Sequence, residues 1–265
     1  MRPARRTVSD RETQRANRRG WDAYADEYQA THGVFLRDVG FVWCPEGVDE
    51  GDAHVLGDVA GRDVLEVGCG AAQCSRWLTV RGARAVGLDI SERQLQHARR
   101  IDDDLGVRVP VVAGTATALP FPDASFHVVF SAFGALQFVA DAGQAVAQVA
   151  RVLRPGGTFA FSVTHPVRWT MPDDPTREGL VVTSSYWDRT PYVEQDDDGR
   201  VTYVEHHRTL GDWVGLLASA GFRIDNLIEP EWPEGHDRVW GGWGPERGAL
   251  VPGTAILSAR LERAA

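Results

Sequence analysis

The stretch Val64–Ala72, VLEVGCGAA, followed by GLDIS at Gly87–Ser91, constrains this chain more than any other feature. An apolar run ends on glycines, a helix-forming segment follows, and a second apolar run ends on Asp89, about 20 residues past the turn. This is the pattern by which a βαβ unit grips a nucleoside: glycines let the backbone approach the ligand, and the acid accepts from ribose hydroxyls. The spacing departs from the GxGxxG of a dinucleotide turn. Gly68, Gly70 and Ala72 alternate, and Glu66 sits in the strand end before them. A carboxylate there suits a ligand carrying positive charge and opposes a pyrophosphate.

Strand and helix signals alternate around the turn. Strand one is read as Val64–Val67, its helix as Ala72–Arg81, and strand two as Ala85–Leu88. Ser91 and Gln94 stand at capping-box spacing before a helix with Leu95, Ala98 and Ile101 on one face. Strand three is expected near Val107–Val112 and strand four at Phe126–Ser131. Asp141 and Gln144 open a helix ending at Arg154, and Pro155, Gly156 and Gly157 form a tight link to strand five, Thr158–Val163. The region Thr164–Arg208 breaks the alternation: VVTSSYW and RVTYVEH flank a DDDG turn at Asp196–Gly199, as in an inserted hairpin. Regular structure resumes with a helix from Thr209 to Ala220, then strands Phe222–Ile228 and Thr254–Leu261. Ahead of the alternation, Ser9–Tyr28 reads as a helix with Trp21, Tyr24 and Tyr28 at helical spacing, followed by a loop-rich stretch, His32–Asp58.

With 265 residues the chain can bury one substantial core. A net charge of -9 disfavours a nucleic-acid partner, although seven arginines in the first 19 residues keep an RNA substrate among the alternatives. Three cysteines without a CxxC spacing support neither a disulfide framework nor a metal site, and fit a reducing cytoplasm. No apolar run is long enough to span a membrane. The first residues read as neither a signal nor a transit peptide.

The sulfonium and ammonium of S-adenosylmethionine supply the positive charge that Glu66 asks for, whereas NAD brings phosphates against it. At this point the chain resembles the class I S-adenosylmethionine-dependent methyltransferases, within them the small-molecule group often called type 11. EVGCG is similar to that family's first motif and LDIS to its acidic second-strand motif. ALPFPDASFHVVFS at Ala118–Ser131 is similar to its strand-four motif, and LRPGGTFAFS at Leu153–Ser162 to its strand-five motif. The resemblance covers Gly61 to Ser162.

The resemblance implies an α/β fold: a Rossmann-like, doubly wound seven-stranded methyltransferase sheet with an N-terminal helical extension and a β-hairpin cap after strand five. Residues 1–60 form the extension or lid, and 61–265 the methyltransferase domain, with the cap at about 164–208. It further implies that Glu66, Gly68, Cys69 and Gly70 line the methionine end of the cofactor and that Asp89 accepts both ribose hydroxyls. Ile90 and Gln94 flank the adenine. Ser131 and Phe133 lie near the transferable methyl, and Tyr28 joins the cofactor site. The family has an Asp before the LPF segment, bonding the adenine amino group; here Thr115 and Ala116 stand there.

The expected activity is methyl transfer from S-adenosylmethionine, leaving S-adenosylhomocysteine, to an O, N or C atom of a small aromatic or apolar metabolite. A non-catalytic module that binds the cofactor and an NAD-dependent oxidoreductase are the alternatives. Ligands of open α/β sheets lie beyond the C-terminal strand ends, which places the acceptor against Ser131–Gln137 and His165. His165 is therefore the first candidate for a general base. His206 and His207 end a cap strand and face opposite sides, so at most one enters a pocket. Tyr24 is a further candidate, and Tyr186 could orient a ligand. Six of nine tryptophans fall after strand five, and with Trp43 they are candidates to wall an acceptor pocket. No metal or membrane partner is expected, and the chain is read as a monomer or homodimer.

Overall fold

The computed structural model describes residues 2–262. The chain opens with β1 (Arg2–Arg5), α1 (Asp10–Leu36) and a single-turn helix α2 (Glu50–Ala53). The alternation then runs β2 (Asp63–Val67), α3 (Gln73–Thr79), β3 (Arg84–Asp89), α4 (Glu92–Leu105), β4 (Val111–Ala113), β5 (Phe126–Ala132), α5 (Ala142–Val152) and β6 (Leu153–Thr164). An insertion carries β7 (Tyr192–Gln195) and β8 (Val201–Glu205). The remainder is α6 (Leu210–Ser219), β9 (Phe222–Ile228), a short α7 (Pro245–Gly248) and β10 (Thr254–Leu261).

Seven strands form one sheet in the order β4-β3-β2-β5-β6-β10-β9, the doubly wound arrangement expected. All neighbours from β4 to β6 are parallel, and β10 runs antiparallel to both β6 and β9. Chain order reverses between β2 and β5, which opens a crevice beyond their C-terminal ends.

Two-residue periodicity divides the core between the sheet's faces. Leu65, Val129, Phe159, Phe161 and Leu257 pack in one cluster with Val146, Val149 and Trp213. Their sequence neighbours Val64, Val128, Phe130, Ala160 and Ile256 pack in another with Phe41, Trp43 and Trp77. Burial on both faces explains why these strands read as continuous apolar runs. The helix starts follow the capping signals. Ser91 Oγ accepts from Gln94 N at 3.1 Å, Asp141 Oδ1 from Gln144 N at 2.8 Å, and Thr209 and Asp212 form a reciprocal capping box.

Several expectations are corrected. The first helix continues through the proposed loop to Leu36. Strand three covers only Val111–Ala113, and β6 begins at Leu153, so the helix before it ends at Val152. VVTSSYW forms no strand; the hairpin partner of β8 is Tyr192–Gln195, past Pro191. The hairpin is one strand wider than expected, because β1 pairs with β7 from Arg2↔Gln195 to Arg5↔Tyr192.

This small sheet packs on α1. Gly20 is required at the contact, since a Cβ there would lie 2.2 Å from the Thr202 carbonyl oxygen. Buried Asn17 bonds the strand as a neighbouring strand would: its Nδ2 donates to Val204 O at 3.0 Å and its Oδ1 accepts from Val204 N at 2.8 Å. The same Nδ2 donates to Phe138 O at 2.9 Å, tying α1 to the loop after β5. Below α1, fully buried Arg76 pairs with Asp102 at 2.8 Å and donates to the carbonyls of Asp38, Ala71 and Ala98.

Candidate active site

The loop after β2 and the loop after β5 meet backbone to backbone. Gly68 adopts φ +79°, and a Cβ on it would lie 2.6 Å from Gly134 C. Three amides of the loop are bonded within the protein: Gly68 N and Cys69 N donate to Leu88 O at 2.7 and 3.0 Å, and Gly70 N donates to Asp89 Oδ2 at 2.8 Å.

Two buried carboxylates face the same cavity. Glu66 Oε2 accepts from Ser75 N at 2.9 Å and Ser75 Oγ at 2.6 Å. Burial outweighs these bonds and pushes its pKa up to about 8. Asp89 accepts from Gly70 N and, at 2.8 Å, from Ser91 N; burial raises its pKa to about 6. A cation in the cavity reverses both shifts, so the site is built to gain from positive charge.

Helix α1 closes over this floor through polar side chains. Asp22 Oδ1 accepts from Ser91 Oγ at 2.7 Å and Arg93 N at 3.0 Å, capping α4 from outside. Gln29 donates to Gln94 Oε1 at 2.9 Å and accepts from Gln73 Nε2 at 3.0 Å, bridging the starts of α3 and α4. Tyr28 lines the cavity, with burial raising its phenol pKa.

On the side toward β6, Phe133 is held at φ +58°, a conformation a non-glycine residue keeps only when its surroundings enforce it. Its N donates to Ser162 Oγ at 2.8 Å, that hydroxyl donates to Trp43 O at 2.6 Å, and Gln137 donates to Phe133 O. Val42, Cys44 and Pro45 thereby form a wall beside Phe133. His236 bonds Pro45 O at 2.9 Å and draws in the segment carrying Trp240. Trp240 stacks on His32 with centroids 3.9 Å apart and planes 12° apart, and meets Tyr28 and Phe35 edge-on. The cavity is open to solvent, with about 1220 Å³ of empty space counted out to its mouth.

Of the residues proposed for the cofactor, Tyr28, Glu66, Gly68, Cys69, Gly70, Asp89, Ile90, Gln94, Thr115, Ala116 and Phe133 line this one cavity. Ser131 does not; strand parity turns it into the sheet, where its hydroxyl is fully buried, and Ala132 lines the cavity instead. The four residues proposed for catalysis are not cavity residues either. His165 bonds Glu229 at 2.7 Å, His206 bonds Thr13, His207 bonds Tyr186 O, and Tyr24 is partly exposed on the outer side of the aromatic stripe. Tyr186 faces Leu210 N and the His207 ring. Trp43 is buried in the core with its Nε1 on Glu50, and Trp213 and Trp169 are buried elsewhere. Of the late tryptophans only Trp240 lines the cavity, together with Trp21. Gln29, Gln73 and Phe35 escaped notice. Helical spacing from Trp21 and Tyr28 reaches Phe35 once the helix is carried past Tyr28, which is the signal that could have found it.

Comparison with known proteins completes the description. A sequence family described as Methyltransferase domain matches residues 65–161. The chain is 34% identical over 235 residues to 27-O-demethylrifamycin SV methyltransferase of Amycolatopsis mediterranei, covering 84% of this chain and 81% of that protein. It is 37% identical over 130 residues to demethylmenaquinone methyltransferase of Tropheryma whipplei, covering 46% of this chain and about half, 53%, of that relative. A crystal structure of an S-adenosylmethionine-dependent methyltransferase from Mesorhizobium loti superposes with TM-score 0.64 at 28% identity, over 82% of this chain and all of that one.

Proposed function

The chain belongs to the S-adenosylmethionine-dependent methyltransferases, and we propose that it moves the donor's methyl group to an O, N or C atom of a small aromatic or apolar metabolite. The observation that carries this reading is the pair of buried carboxylates, Glu66 and Asp89, lining one cavity. That arrangement favours a cationic nucleoside and disfavours NAD.

In this reading Asp89 accepts from the ribose hydroxyls, Ile90, Gln94, Thr115 and Ala116 surround the adenine, and Glu66, Gly68, Cys69 and Gly70 hold the methionine end. Residues 61–265 carry the donor site, while 1–60 and about 164–208 close over it. The bound donor supplies an electrophilic methyl on a sulfonium. The protein aligns an acceptor with it and excludes water, which accounts for much of the rate in such displacements. The wall of Phe35, Val42, Cys44, Pro45, Phe133 and Trp240 is apolar and aromatic, supporting a flat or greasy acceptor. The relatives named for rifamycin and menaquinone precursors are consistent with that class.

Calorimetry with S-adenosylhomocysteine tests the donor site. Binding by the native chain and a loss of at least about a hundredfold in Asp89→Ala are expected, since two charge-assisted bonds go with the carboxylate. No binding, or equal binding by the variant, overturns the reading. Formation of S-adenosylhomocysteine in the presence of any acceptor removes the alternative of a non-catalytic module.

A further inference from the structure

The acceptor wall carries a cation directly behind it. Arg238 stands between β9 and α7, its guanidinium carbon 4.3 Å from the Phe35 ring centre and 5.2 Å from that of Trp240, both lining the cavity. Its Nη2 lies 2.9 Å from His32 Nδ1. A guanidinium only donates, so that nitrogen accepts and His32 is the neutral Nε2–H tautomer. Burial and the Arg238 charge hold the His32 pKa down at about 4.

Among the described residues no carboxylate pairs with Arg238, and its buried Nε has no hydrogen-bond partner. The acids nearest in its own segment, Glu234 and Asp237, are exposed. The other titratable groups around it are Tyr28 and His32 on α1 and His236 on its own segment. Arg238 is half-buried, its charge faces no acid among the described residues, and the cavity lies on the far side of the Phe35 and Trp240 rings.

The lining residues include no histidine, lysine or arginine. Glu66 and Asp89 belong to the donor side. Tyr28 and the thiols of Cys44, Cys69 and Cys74 are kept protonated by burial. Nothing on the acceptor wall takes a proton near neutral pH.

We propose that Arg238 selects an acceptor that enters as an anion: an aromatic ring with an acidic hydroxyl, a phenol or enol already ionised in water. The inference rests on the methyltransferase reading above. The acceptor's proton has gone to solvent before binding. Its oxygen forms the new O–CH₃ bond as the S–CH₃ bond of S-adenosylmethionine breaks, the electron pair stays on sulfur, and the phenolate and sulfonium charges cancel. No protein base takes part. Arg238 does not touch the reacting atoms; it is a positioning residue acting through the field behind Phe35 and Trp240.

4-Nitrophenol, whose ionised form has its own absorption band, provides the test. Titrated with pH against protein saturated with S-adenosylhomocysteine, it is expected to bind ionised about tenfold more tightly than neutral, as a unit charge at this range predicts. Arg238→Gln brings the two forms within twofold, and Arg238→Lys keeps most of the preference. No preference in the native protein, or the same preference in Arg238→Gln, overturns the proposal. If the Gln variant fails to fold, the native and Lys proteins decide: a native preference that Lys retains supports the proposal, and its absence in the native protein, or its loss in a Lys variant that still binds S-adenosylhomocysteine, overturns it. In a series of phenols that turn over, the pH inflection of kcat/KM moves with each phenol's own pKa; a fixed inflection overturns the proposal. Calorimetry separates the two readings. Failure of the native chain to bind S-adenosylhomocysteine sinks the methyltransferase assignment, whereas normal binding without preference for the phenolate sinks this inference alone.

Discussion

Gly68 and Gly134 occupy each other's side-chain space: a Cβ on Gly134 would lie 2.1 Å from the Gly68 carbonyl oxygen. The two loops that bracket the crevice between β2 and β5 are therefore spaced by the absence of both side chains. Gly134→Ala forces them apart. A destabilisation of about 1–3 kcal/mol in urea unfolding is expected, typical of overpacking. Affinity for S-adenosylhomocysteine falls by tenfold or more with it, and a variant that binds normally contradicts this account of the spacing.

Glu66 makes donor binding depend on pH. Its folded pKa, about 8, lies above the ordinary carboxylate value, as does that of Asp89 at about 6. The protonated forms favour the folded state, so this stability is full at low pH and is lost as pH rises through those values. A cationic ligand prefers the ionised forms. S-adenosylmethionine should therefore bind more tightly at pH 8.5 than at pH 6 and release protons, measurable by calorimetry in buffers of different ionisation enthalpy. Glu66→Gln should flatten the profile, weaken binding about tenfold and raise the melting temperature of the ligand-free protein at pH 8.5.

Arg76 holds the floor of the site. Its pair with Asp102 is buried, and Asp102 also accepts from Val109 N at 2.8 Å. Arg76→Met leaves that carboxylate without its cation, and a loss of about 3–5 kcal/mol in chemical unfolding is expected. Removing both charges in Arg76→Met/Asp102→Leu should cost less than the sum of the single changes.

Gln29 tests whether α1 acts as a lid. Gln29→Leu removes the bridge between Gln73 and Gln94 while keeping the side-chain volume. The dissociation rate of S-adenosylhomocysteine should rise about tenfold in stopped-flow measurements, with unfolding stability changed by roughly 1 kcal/mol. An unchanged rate shows that the helix does not gate the donor.

His165 and His207 should be dispensable for proton transfer. Each is bonded outside the cavity, to Glu229 and to Tyr186 O. Substitution by Gln is expected to leave the shape of the pH–rate profile intact with any acceptor that turns over. Disappearance of a limb near the imidazole range in either variant would restore it as a base.

The α/β alternation was legible because parallel strands buried on both faces announce themselves as apolar runs, and because Ser91, Asp141 and Thr209 mark helix starts by local chemistry. The limits of β9 and β10 agree with expectation for another reason: FRIDNLI alternates along an antiparallel edge strand behind Gly221, and TAILSARL is a short apolar run. The donor loop was legible because its residues are consecutive. Other features depended on information that sequence neighbours do not hold. The β1 strand is four residues with no pattern of its own, and its partner lies in a distant insertion. The α1 helix extends past Gly33 and the exposed Val34, which mask the helical spacing that carries the aromatic face on to Phe35. Histidines near strand ends satisfy topology, but their side chains turn to Glu229, Thr13 and Tyr186, and Ser131 fails by strand parity alone. Arg76 and Asp102 look like surface helix residues until the carbonyls of Asp38, Ala71 and Ala98 converge on the guanidinium.

The pairing of β1 with β7 sets an order of events during folding. Bringing Arg2 to Gln195 closes a far longer loop than any pairing from β2 to β6 requires, and loop-closure entropy leads us to expect it after those pairings. The roof over the crevice is held by Asn17, a three-stranded sheet and the Trp240–His32 stack, so its residues can change without touching the parallel strands beneath.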